Sequence, residues 1–298
     1  MSHWTASDVP DQTGRTYVIT GANSGIGLAA ARELGRAGAR VVLAVRNVAK
    51  GQEAARGIAG ETEVRALDLA DLASVRAFAE SVHEHVDVLI NNAGVMNIPH
   101  AETTDGFEMQ FGTNHLGHFA LTNLLLPRVK DRVVVVASTA HRYGRIDLGN
   151  LNAEKGYRRH RVYGQAKLAN LLFMSELQRK LERAGSPVKA VGAHPGWAAT
   201  NLQSHSGNRV EHAFMAVGNR LLAQSADMGA LPTLFAATQD IPGDTYIGPG
   251  GPAEARGYPS VANRTRYAKD ERMAERLWEE SERLTGVKFP REMAVLQR

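Results

Sequence analysis

The feature that most constrains the fold is a run of six residues, VVVVAS, closing on Ser138. Four consecutive valines favour a strand, and the missing polar alternation means that neither face of this strand meets water. Only a central strand of a sheet covered by helices on both sides meets that condition, so the run predicts a parallel α/β architecture.

The surrounding sequence keeps the same rhythm, with short β-branched runs each followed by a longer segment of helically spaced Ala and Leu. Strands are expected at Tyr17 to Thr20, Arg40 to Val45, Glu63 to Leu67, Val86 to Ile90, Arg132 to Ala137, Val188 to Ala193 and Thr245 to Ile247. With right-handed crossovers these give a doubly wound Rossmann fold. Its sheet is mostly parallel, with seven strands in the order 3-2-1-4-5-6-7 and helices on both faces. No repeat, low-complexity tract or Pro/Ser-rich linker divides the chain, so residues 1–298 read as one dinucleotide-binding domain. Two polar stretches break the rhythm, residues 140–160 and 197–225; both are candidates to cover a site, the second as a substrate-covering insertion. Residues 251–298 read as a C-terminal helical extension. It begins in the turn GPGGP and continues as a charged helix from about Arg264 to Leu284, docking through Met273, Leu277 and Leu284.

Composition enters mainly by exclusion. With no cysteine in 298 residues, disulfides, thiolate catalysis and Cys-ligated metals are ruled out, and a reducing cytoplasm is the expected location. A net charge of +4 without a dense Lys/Arg block argues against nucleic acid as a partner. No stretch is long and apolar enough for a membrane span, and the start lacks the layout of a signal peptide.

Strand 1 ends in TGANSGIG, Thr20 to Gly27, and a helix follows at once. Gly21 permits the tight turn, Gly25 lets backbone N–H groups approach a pyrophosphate, and Gly27 allows close helix-on-sheet packing. In this context the triplet predicts a dinucleotide. An acid at the end of strand 2 would bind the ribose 2′-OH of NAD, but LAVRN places Val45 and Arg46 there. Arg46 suits the 2′-phosphate, which favours NADP(H) over NAD(H). The alternative is a solvated Arg46 and NAD held without the acidic contact. After strand 3, the Asp68 carboxylate could accept from an adenine amino group while Leu69 covers the ring. After strand 4, NNAGV, Asn91 to Val95, is small and polar enough to line a ribose.

In VYGQAKLANLLF, Tyr163 and Lys167 lie four residues apart and share one face of a helix. Alone, that face could serve packing or chemistry, while Leu168, Leu171 and Leu172 on the other face pack on the sheet. TGANSGIG, NNAG, Tyr163-x-x-x-Lys167 and HPG at His194 to Gly196 stand in the order and near the spacing of the short-chain dehydrogenase/reductase family. Over about residues 14–250 the chain resembles that family. LAVRN, TNHLGHF and VYGQAKLANLLF look most like its retinol dehydrogenase-like branch.

The resemblance implies an NADP(H)-dependent oxidoreductase acting on carbonyls and alcohols of apolar molecules. It also implies roles: Tyr163 as acid/base, Lys167 as its partner, Ser138 as the carbonyl-orienting hydroxyl and Asn114 as holder of a proton-relay water. Against the cofactor it places Gly21, Ser24, Gly25, Ile26, Gly27, Arg46, Asp68, Leu69, Asn92, Ala93 and Gly94, together with Tyr163 and Lys167. Pro195, Gly196 and Thr200 would meet the nicotinamide end. Ser138 and Tyr163 are farther apart than in many members, an insertion that the branch shares. A possible homo-oligomer is a further family-level expectation.

Chemically, a free tyrosine is a weak base at neutral pH, and a lysine cation one turn away is expected to lower its pKa by about two units. Ser138 would stabilise negative charge developing on the substrate oxygen. The pairs His115 with His118 and His83 with His85 lack a third ligand, so no metal is expected. The run YRRHR, Tyr157 to Arg161, reads as a solvated face, and Trp197 as either a wall of an apolar substrate pocket or core. The rival function from another class is a catalytically silent dinucleotide-binding redox sensor or scaffold; the joint presence of Asn114, Ser138, Tyr163 and Lys167 argues against it.

Overall fold

In the computed structural model, which describes residues 3–197, 225–291 and 293, the four valines divide as expected between two cores. Val133 and Val135 point into one buried cluster and Val134 and Val136 into the other. Their strand, β5 (Val129–Val136), pairs in parallel with β4 (Val86–Asn91) on one side and β6 (Lys189–Ala193) on the other. Outward from β4 run β1 (Thr16–Thr20), β2 (Arg40–Val45) and β3 (Thr62–Ala66), and outward from β6 runs β7 (Tyr246–Pro249). All of these pairings are parallel.

Beyond β7 lies an eighth strand, β8 (Pro259–Val261), antiparallel to it and completing the order β3-β2-β1-β4-β5-β6-β7-β8. The sequence places this stretch within the helical extension expected over residues 251–298 and predicts seven strands, because three residues that open on proline carry no readable strand period. At a sheet edge proline's missing N–H costs no ladder bond, which is why it is tolerated here.

Helices cover both faces. On one side lie α1 (Gly25–Arg36) and, near the C-terminus of the sheet, Ala226–Thr238, numbered α7 below. On the other are α3 (Leu72–Ser81), α5 (Gly117–Leu125) and α6 (Arg159–Arg183), while the short α2 (Val48–Ala55) packs on β2 and β3. Before α5 a single turn, α4 (Met109–Phe111), passes into a π turn at Gly112–Leu116, where the Gly117 N–H bonds the Gly112 carbonyl in the i→i+5 pattern.

Over α6 lies α8 (Glu271–Thr285). It starts later than the sequence suggests because the Asp270 carboxylate accepts from the Met273 N–H at 3.0 Å and so caps it. Its buried residues Ala274, Leu277, Trp278, Ser281 and Thr285 recur at helical spacing, with Met273 and Leu284 half-buried at the margin. Trp278 stacks on Phe173 of α6, the ring centroids 5.6 Å apart. Of the expected covering insertion over 197–225, only its ends, Trp197 and Ser225, belong to the described residues. Thr200 lies outside them.

Candidate active site

The carboxyl ends of β1, β4, β5 and β6 converge on one edge of the sheet, where most of the residues singled out in the sequence are gathered. Gly21 follows β1 with φ +68°, a conformation that side chains disfavour. A Cβ there would sit 3.0 Å from that of Ala93; one on Gly27 would lie 2.5 Å from the Asn92 amide nitrogen. The loop is thus pressed against the end of β4, leaving no room for side chains. The helix that follows opens on Ser24, whose side chain makes no capping bond. By contrast α2, α3, α7 and α8 are each capped by the side chain of their own N-cap residue, Asn47, Asp71, Ser225 and Asp270. The first-turn N–H groups of α1 therefore keep their capacity for an external anion.

Arg46 is exposed at the end of β2, without an ion pair among the described residues. Asp68 follows β3, one oxygen accepting from the Ala70 N–H at 2.9 Å. The ring-covering role expected of the Leu69 side chain is not available: it is buried in the core facing α5, and its carbonyl abuts Gly117. Leu69 can offer the crevice only backbone. Ile26 is likewise buried, in the opposite core, so its backbone is what faces the loop.

The floor after β4 is tied down from two sides. Thr20 Oγ1 accepts from the N–H groups of Asn92 and Ala93, both at 2.9 Å, and the Asn92 amide donates to the Thr20 carbonyl at 2.8 Å. From the π turn, the Asn114 side chain accepts from Val95 N–H at 2.8 Å and donates to its carbonyl at 2.9 Å. A Cβ on Gly94 would fall 2.8 Å from Asn114 Oδ1 and 3.7 Å from Lys167 Nζ, so that the three residues meet at one point.

Tyr163 and Lys167 lie on the same face of α6, both buried, with Lys167 Nζ 5.8 Å from the centre of the tyrosine ring. Leu168, Leu171 and Leu172 face the core, so packing and polar roles occupy different faces of one helix. Ser138, whose side chain acts on the Tyr163 phenol to favour phenolate, stands immediately beyond β5 and caps the turn Thr139–Arg142, its hydroxyl accepting from the Ala140 N–H at 3.2 Å. Lys167 Nζ donates to the Val136 carbonyl at 3.0 Å.

The electrostatics differ from the sequence expectation. Burial pushes the Tyr163 phenol well above its ordinary pKa, outweighing the influence of Ser138, which favours phenolate, while burial lowers Lys167 to about 8. The expected two-unit lowering fails in the protein alone because the lysine is desolvated with the phenol and directs its ammonium at a backbone carbonyl.

Sequence reasoning missed several neighbours of this centre. Tyr143, half-exposed, lays its ring against α6 at Gly164, where a Cβ would come within 2.7 Å of it. His194 lies buried behind Pro195 and Gly196, its Nε2 3.2 Å from Glu254 Oε2, which also meets Arg142 at 2.8 Å. Glu254 carried no signal, since it sits in the Gly/Pro-rich turn beyond β7. Trp197 is 45% exposed and so is not core; its N–H donates to the Ala255 carbonyl at 2.7 Å. Of the run YRRHR, Arg158, His160 and Arg161 are solvated as expected, but the Tyr157 hydroxyl is drawn inward to the Ile98 carbonyl at 2.8 Å. Among the described residues no group of three His, Asp or Glu is arranged to hold a metal ion, and no helix is long and apolar enough to cross a membrane.

Comparison with known proteins agrees with this architecture. Residues 15–211 match the model of the short chain dehydrogenase family. Human retinol dehydrogenase 13 is 42% identical over 297 residues, covering 93% of this chain and 86% of that protein. The crystal structure of an uncharacterized protein from Mycobacterium Paratuberculosis superimposes with a TM-score of 0.85 at 53% identity, covering 97% of this chain and all of that one. A further structure, described as an NAD(P) dependent gluconate 5-dehydrogenase from Beutenbergia cavernae with bound NADP at low occupancy, gives 0.57 at 28% identity over 77% and 92% of the two chains. The sheet order, the glycine turn uncapped at α1 and these matches together make the chain a member of the short-chain dehydrogenase family.

Proposed function

We propose that the protein is an NADP(H)-dependent oxidoreductase that interconverts a carbonyl and an alcohol on a small apolar or aromatic substrate, with Tyr163 as acid/base. The observation that carries this reading is the convergence of Ser138, Tyr163, Lys167 and Asn114 on one buried edge, beside the glycine loop. A dinucleotide fits the residues present: the N-terminus of α1 is left without a side-chain cap, and the turn before it is stripped of Cβ atoms where a Cβ would clash. Gly21, Ser24, Gly25 and the backbone of Ile26 and Gly27 would hold its pyrophosphate, Asp68 and the backbone of Leu69 its adenine, and Asn92, Ala93 and Gly94 its ribose. Arg46, exposed where NAD-binding relatives need an acid, would take a 2′-phosphate. Pro195, Gly196 and Thr200 would meet the nicotinamide, whose reduced form supplies a hydride to the carbonyl carbon.

The protein's part is then proton transfer and orientation. Ser138 donates a hydrogen bond to the substrate oxygen, holding the carbonyl and stabilising the charge that develops there. Tyr163 gives its phenolic proton to that oxygen as the hydride arrives, or takes it back when an alcohol is oxidised. Because burial keeps Tyr163 protonated, the free site is set for reduction. Lys167, charged at neutral pH, offsets the phenolate left behind, and Asn114 would hold the water that returns the proton. The half-exposed rings of Tyr143 and Trp197 suit an apolar or aromatic substrate, and human retinol dehydrogenase 13 bears the name of an apolar alcohol.

A panel of aldehydes and ketones assayed by NADPH absorbance tests the reading. Tyr163→Phe is expected to lower turnover by about 100-fold or more, with nucleotide binding measured in parallel. Equal turnover by the variant would refute the mechanism. Arg46→Asp should weaken NADP(H) more than NAD(H), and unchanged discrimination would remove the case for the phosphate.

A further inference from the structure

The sequence marks His118 as one of two histidines on a helix without giving it work. Its ring is buried, yet both nitrogens have partners: Nδ1 lies 3.0 Å from the Asn114 carbonyl and Nε2 lies 2.9 Å from Thr20 Oγ1. The donors and acceptors around it admit one arrangement. A carbonyl can only accept, so Nδ1 carries the proton. Thr20 Oγ1 already accepts from the N–H groups of Asn92 and Ala93, which use its two lone pairs, so its own proton must be given away. The nearer acceptor is Nε2, the Ile90 carbonyl being 3.4 Å off. A doubly protonated ring would point a third donor at a hydroxyl with no lone pair left. Burial holds the ring neutral, its pKa lowered to about 4, and the charge of Lys167 acts in the same direction; His115, the other titratable group near it, is also neutral.

The geometry points to His118 as a positioning residue: as the Nδ1–H tautomer it clamps the π turn that carries Asn114 to the floor formed by Thr20, Asn92 and Ala93. One hydrogen-bonded chain thereby runs from the Asn114 carbonyl through the imidazole and the Thr20 hydroxyl to the two amides at the end of β4. The Asn114 side chain closes the loop by gripping Val95. The nucleotide floor and the proton-relay residue are consequently set by the same clamp. This assignment rests on the proposed function only for what binds the floor.

The test begins with the intact protein. In ¹⁵N-labelled material the imidazole of His118 should show the neutral Nδ1–H pattern, unchanged from about pH 8 to about pH 5.5, where an ordinary histidine titrates. An Nε2–H pattern, or titration near the ordinary value, overturns the proposal. Thr20→Val, which keeps the shape and removes only the hydroxyl, and His118→Phe should each weaken NADPH binding roughly ten-fold, read by nucleotide fluorescence. The double variant should be little worse than either, since both cut one chain. Fully additive losses, or lowered unfolding midpoints with unchanged affinity, would reduce His118 to core packing. If His118→Phe does not fold, Thr20→Val and the tautomer still decide. Tyr163→Phe should leave the tautomer unaltered. A protein that shows the clamp yet turns over no carbonyl would therefore refute the function and leave the clamp standing.

Discussion

The two ends of the crevice are braced by different physics. At the end formed by β1 and β4 the braces are neutral: Thr20, Asn92, Asn114 and His118 hold one another by hydrogen bonds among uncharged groups. At the end formed by β6 and β7 the brace is ionic. Glu254 meets Arg142 and His194 with one oxygen, and its other oxygen accepts from Asn263 N–H at 3.0 Å. The turn that presents it is strained, with Ala253 and Glu254 at φ +54° and +55°. The neutral end lies within the residues that match the family model, whereas Glu254 lies outside them. One end is thus built from uncharged groups inside the matched span, and the other draws its carboxylate from beyond that span.

The largest expected effect comes from breaking the ionic end sterically. A Cβ on Gly248 would overlap the His194 ring, which is already confined between β7 and Glu254. Gly248→Ala is expected to cost about 3 kcal/mol in urea unfolding, the upper range for overpacking. A change below about 0.5 kcal/mol would show that His194 is free to move and that this end is no brace.

Acid should separate the ends next. Folding holds His194 and His118 at about 4, well below the ordinary value near 6.5, through burial first. Between those limits the unfolded chain binds a proton that the folded chain refuses, so stability falls as pH drops below about 6.5. Each histidine contributes about 1.4 kcal/mol per pH unit over that window. Glu254 is depressed below its ordinary value although burial opposes this, because Asn263, Arg142 and His194 favour the carboxylate. Its contribution is present above about 4.5 and is lost only as pH falls through its folded value. Replacing either histidine by Gln should therefore flatten the stability profile between about pH 6.5 and 4, while Glu254→Gln should change it only at the acid end. Equal slopes in wild type and both histidine variants would contradict the burial argument.

How much of this was legible in the sequence follows the same division. The sheet order came from the valine run and the βαβ rhythm, because burial on both faces leaves a period that can be read directly. The glycine turn and Tyr163 with Lys167 were legible because each needs particular residue types at fixed spacing. Arg142 and Glu254 were not, since their contact joins residues over a hundred positions apart and only the fold brings them together, and Asn263 has a part only because Glu254 is placed there. Tyr143 was hidden for a related reason: what places it is the absence of a side chain at Gly164, which reads in sequence as an ordinary helix defect. The pKa expectation for Tyr163 failed because spacing gives the distance to Lys167 but not the water that both groups lose.

The smallest effect concerns the strained turn itself. Ala253 has no polar group to hold it in the left-handed region, where a Cβ costs about 1–2 kcal/mol. Glycine there would relieve that strain but loses about 0.4–1 kcal/mol by loosening the unfolded chain. The balance predicts that Ala253→Gly stabilises the protein by about 0.5 kcal/mol, measured as a shift of the unfolding midpoint at unchanged slope. The strain of Glu254 is of another kind, because its side chain is tied to Arg142, His194 and Asn263; Glu254→Gly should destabilise, losing the ionic brace together with the strain. If both glycine variants moved stability in the same direction, the turn's conformation would be independent of the charges it carries, and the contrast between the two ends would lose its cause.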